Sequence, residues 1–156
     1  MKIVMGFDHA GYLLKPVLIE TVRQAGHQVL DVGTDSPAPV DYPDIVQKAG
    51  RAILKKQAVR GILVCGSGVG ACIAANKING IYAGVCHDTY SAHQGVEHDD
   101  MNVLCLGSRI VGSELARELV RAFLAARFSK DERHRRRVGK IRAMESEAAG
   151  KADHDR

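Results

Sequence analysis

Cys65 closes an apolar run and opens a glycine-rich loop in the stretch GILVCGSGVGACIAANK, residues 61–77. Residues 61–64 read as a short buried strand and residues 71–77 as the first turns of a helix. Between them, Gly66, Ser67, Gly68, Val69 and Gly70 let the backbone turn sharply and present its N–H groups. A helix start leaves N–H donors unpaired and carries partial positive charge, which favours an anion and raises the thiolate fraction of a neighbouring cysteine. One segment thus offers a base or nucleophile, a hydroxyl and a cradle for negative charge. That set suits chemistry through an anionic intermediate. Other uses of Cys65 are a buried core position or a redox thiol, although no resolving cysteine is near in sequence. A phosphatase nucleophile would need an arginine six residues on, where this chain has Ala71.

Further chemistry-bearing residues stand apart from this loop. Asp8 and His9, in Asp8-His9-Ala10-Gly11, put two titratable groups at a strand end; the bland alternative is a helix cap plus a solvated histidine. His98, followed by Asp99, could be a surface histidine, or could move protons to and from a sugar oxygen, since histidine titrates near neutrality. His87 and His93 read as structural or surface residues. Arg133 and Arg137 are four apart and share a helix face, which makes a phosphate clamp, a solvated basic face or an RNA-binding stripe. Arg109 is a candidate third phosphate contact. His93 and His98 are five apart and no H-x-x-x-H pair exists, so no metal site is expected.

These residues need a scaffold, and 156 residues with 46% apolar content predict one domain with a real core. The chain has no tryptophan, which argues against a stacking-based nucleic-acid binder. No apolar stretch approaches a membrane span, and the amino-terminal residues lack signal-peptide features, so a cytoplasmic setting is expected. Cys72, Cys86 and Cys105 lie among apolar residues and read as buried small hydrophobes, not as disulfide partners. The net charge of +4 is a local effect: residues 133–142 hold five arginines and one lysine with no acid, and the rest of the chain is net acidic.

Strands and helices alternate. Strands are predicted at residues 2–8, 27–33, 61–64, 81–87 and 103–107. Helices are predicted from about residue 14 to Gly26, with Leu14, Leu18 and Val22 inward, and over 44–57, with Ile45, Ala49, Ala52 and Ile53 at helical spacing. Residues 90–99 read as a polar helix or loop. A strong helix is expected over 112–128, with Leu115, Leu119, Phe123 and Ala126 on one face. The three prolines in residues 34–43 make that segment a loop. A last basic helix follows, and residues 147–156 are expected to fray, leaving 1–146 as the domain. This order predicts an α/β fold: a doubly wound, Rossmann-like, five-stranded parallel sheet with an extra C-terminal helix. Ligands of such sheets bind beyond the carboxyl ends of the strands, where Asp8, His9, Cys65 to Gly70 and Arg109 fall.

Taken together, DHAG at Asp8, DYPD at Asp41, CGSGVG at Cys65, IAANK at Ile73, EHDDMNVL around His98, GSR at Gly107 and RHRRRV at Arg133 resemble the type B ribose-5-phosphate isomerases. The wider family includes the galactose-6-phosphate isomerase subunits. The motifs span roughly residues 1–145. The resemblance implies an aldose–ketose isomerase of the pentose phosphate pathway that uses no metal or cofactor. It makes Cys65 the base that shifts a proton between C2 and C1, and Ser67 with the N–H groups of Gly66 to Gly70 the enediolate cradle. It gives His98 the opening of the furanose ring, Asp8 and His9 sugar contacts, and Arg109, Arg133 and Arg137 the phosphate, with His9 assisting. It also implies a homodimer, or a tetramer of paired dimers, with the site between subunits. Another branch of the family uses a glutamate where this chain has Ala71, which leaves the cysteine mechanism.

One departure bears on the substrate. The residue after the ring-opening histidine is often asparagine in the ribose enzymes, and here it is Asp99, which loses donors and adds charge beside the sugar. The same reaction on allose or galactose 6-phosphate, or on a tetrose phosphate, is therefore the alternative. A non-catalytic nucleotide- or RNA-binding module is a third reading, in which Cys65, His98 and Asp8 have no purpose.

Overall fold

The computed structural model describes residues 1–152, with side-chain burial up to Glu147. Strands β1 (Lys2–Phe7), β2 (Gln28–Asp31), β3 (Arg60–Cys65), β4 (Ala83–Val85) and β5 (Val103–Gly107) form one parallel sheet in the order β2-β1-β3-β5-β4. Helices α1 (Lys15–Gln24), α2 (Tyr42–Leu54), α3 (Val69–Ala75), α4 (Thr89–Asp99), α5 (Ser113–Ala125) and α6 (Glu132–Ala152) connect or follow them. The predicted doubly wound α/β sheet is thereby borne out.

Strands β1, β3 and β5 are apolar on both faces because helices cover both. On one face, Ile3, Met5, Phe7, Ile62, Val64, Leu104 and Leu106 pack against α1, α4 and α5. On the other, Val4, Leu63, Cys65, Val103 and Cys105 pack against α2 and α3. The period-2 alternation of the strands decides which residue meets which layer, and it turns Cys65 toward α2 and α3.

Element boundaries shift where local chemistry outweighs the apolar pattern. A 3-10 turn at Gly11–Leu14 precedes α1, so Pro16 falls in the first α turn, where its missing N–H costs nothing. Likewise α2 starts at Tyr42 with Pro43 inside its first turn, two residues before the expected start. The fourth strand is Ala83–Val85, shorter than expected, because the Tyr82 N–H bonds to the Asn102 side chain at 2.8 Å and not to a strand. Leu115 is exposed, contrary to expectation; Ala116, Leu119, Val120 and Phe123 form the inner face of α5. Cys72 is also corrected: it is half-buried on α3, whereas Cys86 and Cys105 are buried. Helix α6 runs to Ala152; of the tail expected over 147–156, residues 153–156 lie outside the described residues.

Lys15 fixes the loop that leads toward the strand ends. Its ammonium contacts Asp31 at 2.7 Å, Asp35 at 2.8 Å and the Thr34 carbonyl at 2.7 Å. Burial alone would lower its pKa, but the two carboxylates outweigh that and raise it.

Candidate active site

The sheet changes direction between β1 and β3, since β2 lies on one side of β1 and all later strands on the other. Ligands of open α/β sheets bind at the carboxyl ends there. A cavity of about 340 Å³ occupies that place, lined by Asp8, Tyr42, Cys65, Gly66, Ser67, Gly70, Arg109 and Ile110. Strand ends β1 and β3 deliver Asp8 and Cys65, and the turn after β5 delivers Arg109.

Cys65 is buried and accepts a hydrogen bond from the Gly68 N–H, N to Sγ 3.1 Å. That bond depends on Gly68 at φ +80°, where a side chain is strained and where a Cβ would meet the Leu106 carbonyl carbon at 3.0 Å. The loop is clamped to β5: Ser108 N donates to the Cys65 carbonyl at 2.9 Å and Arg109 N to the Gly66 carbonyl at 3.0 Å. Ser108 Oγ reaches across to the Ala10 carbonyl at 2.8 Å. His87 Nε2 accepts from the Gly107 N–H at 3.0 Å, a structural role. Ser67 is exposed at the mouth, its Oγ accepting from Val69 N at 3.3 Å.

Asp8 takes the capping role considered for it and also faces the cavity. One oxygen accepts from the Gly11 N–H at 2.8 Å, pinning the 3-10 turn, and the side chain also lines the cavity. His9 Nδ1 accepts from the Val40 N–H at 3.3 Å, so the loop held by Lys15 fixes the ring. Tyr42 is a cavity residue to which sequence reasoning gave no role, although it sits in the DYPD motif. Its ring lies over Gly70, where a Cβ would come within 2.8 Å of it.

The remaining candidates form a second cluster. His98 sits in the last turn of α4, with Nδ1 2.9 Å from Gln94 Nε2. Its ring stacks on that of His134, centroids 4.1 Å apart at 28°. His134 is buried, and Ser129 Oγ lies 2.6 Å from its Nδ1. Burial, then the neighbouring His98 and Arg133, pushes the His134 pKa down. Arg133 and Arg137 are exposed on α6, beside the inward His134 and Val138. Asp99 borders another hollow with Tyr82, Ala83 and Met101. Helix α4 starts beyond the carboxyl end of β4, so its last turn reaches the amino end of the sheet, where Asp99 meets the start of β4. One chain therefore does not bring His98, Asp99, Arg133 and Arg137 to the Cys65 cavity.

Among the described residues, no three His, Cys, Asp or Glu side chains converge where a metal ion could sit, and no helix is long and apolar enough to cross a membrane. The Cys72 thiol is pulled down to about 7 by its hydrogen bond with Cys105, whose own pKa is pushed well up. Burial pushes Cys86 up to about 11.

Fold and cavity define an α/β protein with a hollow at the switch point of a parallel sheet. Residues 3–141 match the family model for Ribose/Galactose Isomerase. The chain is 44% identical over 144 residues to ribose-5-phosphate isomerase B of Escherichia coli strain K12, covering 92% of this chain and 96% of that protein. It is 42% identical over 130 residues to the D-erythrulose-4-phosphate isomerase of Pectobacterium atrosepticum, covering 82% and 85%. The structure of Clostridium thermocellum ribose-5-phosphate isomerase B superposes with a TM-score of 0.91 at 44% identity, over 95% of this chain and 99% of that one. The chain belongs to the ribose/galactose isomerase family, and it is an isomerase. The resemblance carried by the motifs is borne out, and the reading as a non-catalytic binding module falls to a match that spans the fold.

Proposed function

We propose that this enzyme interconverts ribose 5-phosphate and ribulose 5-phosphate through an enediolate, in the cytoplasm and within pentose phosphate metabolism. The observation that carries the reading is the Cys65 thiol under the glycine loop, in one cavity with Asp8 and Arg109. The relatives named as ribose-5-phosphate isomerase B support the sugar.

In this mechanism the Cys65 thiolate removes the C2 proton of the open-chain aldose and returns it to C1, while a hydroxyl proton passes from O2 to O1. No redox partner is needed, since C1 is reduced as C2 is oxidised. The Gly68 N–H holds the Cys65 sulfur in place, and the loop N–H groups with Ser67 Oγ hold the developing oxyanion. Such a preorganised donor contributes about 3 kcal/mol. Asp8 and His9 contact the sugar, and Arg109 holds the phosphate.

His98 opens the ring, and Asp99, Arg133 and Arg137 complete the sugar and phosphate contacts from a second copy of the chain. The opposite placement of the two clusters within one chain supports a homodimer whose sites each draw on both subunits. Two guanidiniums one helical turn apart suit a dianionic phosphate.

A second reading keeps the chemistry and changes the sugar. Asp99 puts a carboxylate beside the substrate, and one relative is named for a tetrose phosphate. A panel of tetrose, pentose and hexose phosphates decides. A kcat/KM for ribose 5-phosphate at least about tenfold above the others, about 1.4 kcal/mol of transition-state discrimination, supports the first reading. Preference for another sugar transfers the mechanism to that substrate.

A further inference from the structure

At the amino end of the sheet, opposite the Cys65 cavity, the chain forms a larger hollow of about 910 Å³. Its walls come from the starts of β1 and β3, the turn between α1 and β2, the end of α5 and the segment leading into α6. Four arginine and lysine side chains line it, Arg60, Arg121, Arg127 and Lys130, beside His27 and the Met1 amino group. The sequence hides this, because Arg60 lies far along the chain from the other three and all four fall outside the basic run at 133–142. One carboxylate lines the hollow, Asp100, and Arg142 holds it from α6 at 2.9 Å.

Arg60 is the fixed part of the wall. Its guanidinium lies 5.3 Å from the centroid of the Phe123 ring and donates to the carbonyls of Phe123 at 2.7 Å and Ala126 at 2.9 Å. These bonds set its position but supply no countercharge. Burial lowers its pKa; Asp100 works against that, and Arg127 adds to it. Arg127 is thus near enough to repel Arg60. Like charges gathered in a concave wall of low dielectric focus a positive potential into the hollow. The end of α5 adds an apolar side through Leu124 and Ala126, and Phe128 offers an aromatic face.

We infer that this hollow binds the di- or triphosphate group of a small molecule, inorganic or carried by a nucleoside. Four cations with one engaged carboxylate exceed what a single phosphate neutralises. The volume falls within the range of small-molecule sites and is well above that of the Cys65 cavity. Arg121, Arg127 and Lys130 are exposed and can close on the phosphates, while Arg60 supplies a fixed charge behind them. The site is independent of the isomerase reading, because none of these residues belongs to the proposed catalytic machinery.

Isothermal titration calorimetry on the full chain tests it, with ATP, inorganic tripolyphosphate and inorganic phosphate, free of divalent cations and at about 0.1 M salt. One ATP or tripolyphosphate per chain is expected, with inorganic phosphate at least about tenfold weaker. The exposed double change Arg127→Gln with Lys130→Gln should weaken binding about tenfold or more and leave the melting temperature and isomerase kcat/KM unchanged. Saturating ribose 5-phosphate and the Arg109→Ala variant should leave binding intact. Tighter binding of ATP than of tripolyphosphate assigns a nucleoside ligand, and equal binding assigns the phosphates alone. Absence of binding overturns the inference, as does unchanged binding in the double variant. Loss of binding in Arg109→Ala would move the ligand to the Cys65 cavity and overturn it too.

Discussion

Replacing Gly68 with alanine strikes the loop that carries the proposed chemistry, and its cost can be worked from the structure. Gly68 sits at φ +80°, ψ −21°. Holding an alanine at positive φ costs about 1–2 kcal/mol. The new Cβ would lie 3.0 Å from the Leu106 carbonyl carbon and 3.2 Å from the Gly107 nitrogen, which are backbone atoms of β5, paired to β3, that cannot swing aside. Overpacking of that kind adds at least about 1 kcal/mol. The total, roughly 2–4 kcal/mol, corresponds to a melting temperature lower by about 5–15 °C in a chain of this size. Gly26 is the control: it has φ +79° with nothing within 4 Å of its added Cβ, so it incurs the conformational cost alone. Displacing Gly68 also moves its N–H off Cys65 Sγ and shifts the loop N–H groups proposed to hold the oxyanion, and loss of one such donor lowers kcat by about 100-fold or more. Calorimetry and steady-state kinetics on both variants measure these effects. If Gly68→Ala melts no lower than Gly26→Ala and keeps its kcat, the reasoning about this loop is wrong.

Three further outcomes are expected. Inactive Cys65→Ala and His98→Asn chains, unfolded and refolded together, should recover about a quarter of wild-type activity on cyclic substrate, because half the dimers are mixed and each holds one intact site; no recovery would mean that each site draws on one chain. Arg137→Ala should raise KM about tenfold through loss of a charge-assisted phosphate contact, whereas Arg136→Ala, rotated off that face, should change it by less than about twofold; equal effects would make α6 a diffuse basic surface. The lowered pKa of His134 means that the unfolded chain takes up a proton near pH 6.5 that the native chain resists. Stability is therefore full above that pH and falls as pH drops through the lowered value, well above the range where the carboxylates of Asp35 and Asp88, both held low, take up protons. Thermal melts from pH 7.5 to 5 should show a shallower fall in His134→Gln, with some remaining from His27, which shifts in the same direction; an unchanged slope would clear His134 of the effect.

The central strands were legible because β1, β3 and β5 are short apolar runs buried on both faces, and Val103–Gly107 matches its expected bounds. The order of the sheet was not, because the placing of β4 outside β5 depends on pairing between distant segments. The loop around Cys65 could be read because strand, glycine loop and helix are contiguous in sequence. Tyr42 was missed because it enters from α2, through a contact with Gly70 that no spacing reveals. His134 was hidden in a run that reads as a solvated basic face. The available signal was Val138, four positions after His134 and the lone apolar residue of that run before Ile141; His134 and Val138 turn inward while Arg133 and Arg137 face out. That His98 and its neighbours lie away from Cys65 within one chain follows from where α4 ends, which only the three-dimensional path of the crossover defines.

The central claim is that Cys65 moves the proton between C2 and C1. Proton NMR of the reaction in deuterated water tests it directly, by following deuterium entering the sugar phosphate at the carbons that exchange. The wild-type enzyme should introduce solvent deuterium as it turns over. Cys65→Ser, nearly isosteric but too weak a base near neutral pH, should introduce none while keeping the wild-type fold and melting temperature. Exchange at the wild-type rate in Cys65→Ser would contradict the account and assign the proton transfer to another group.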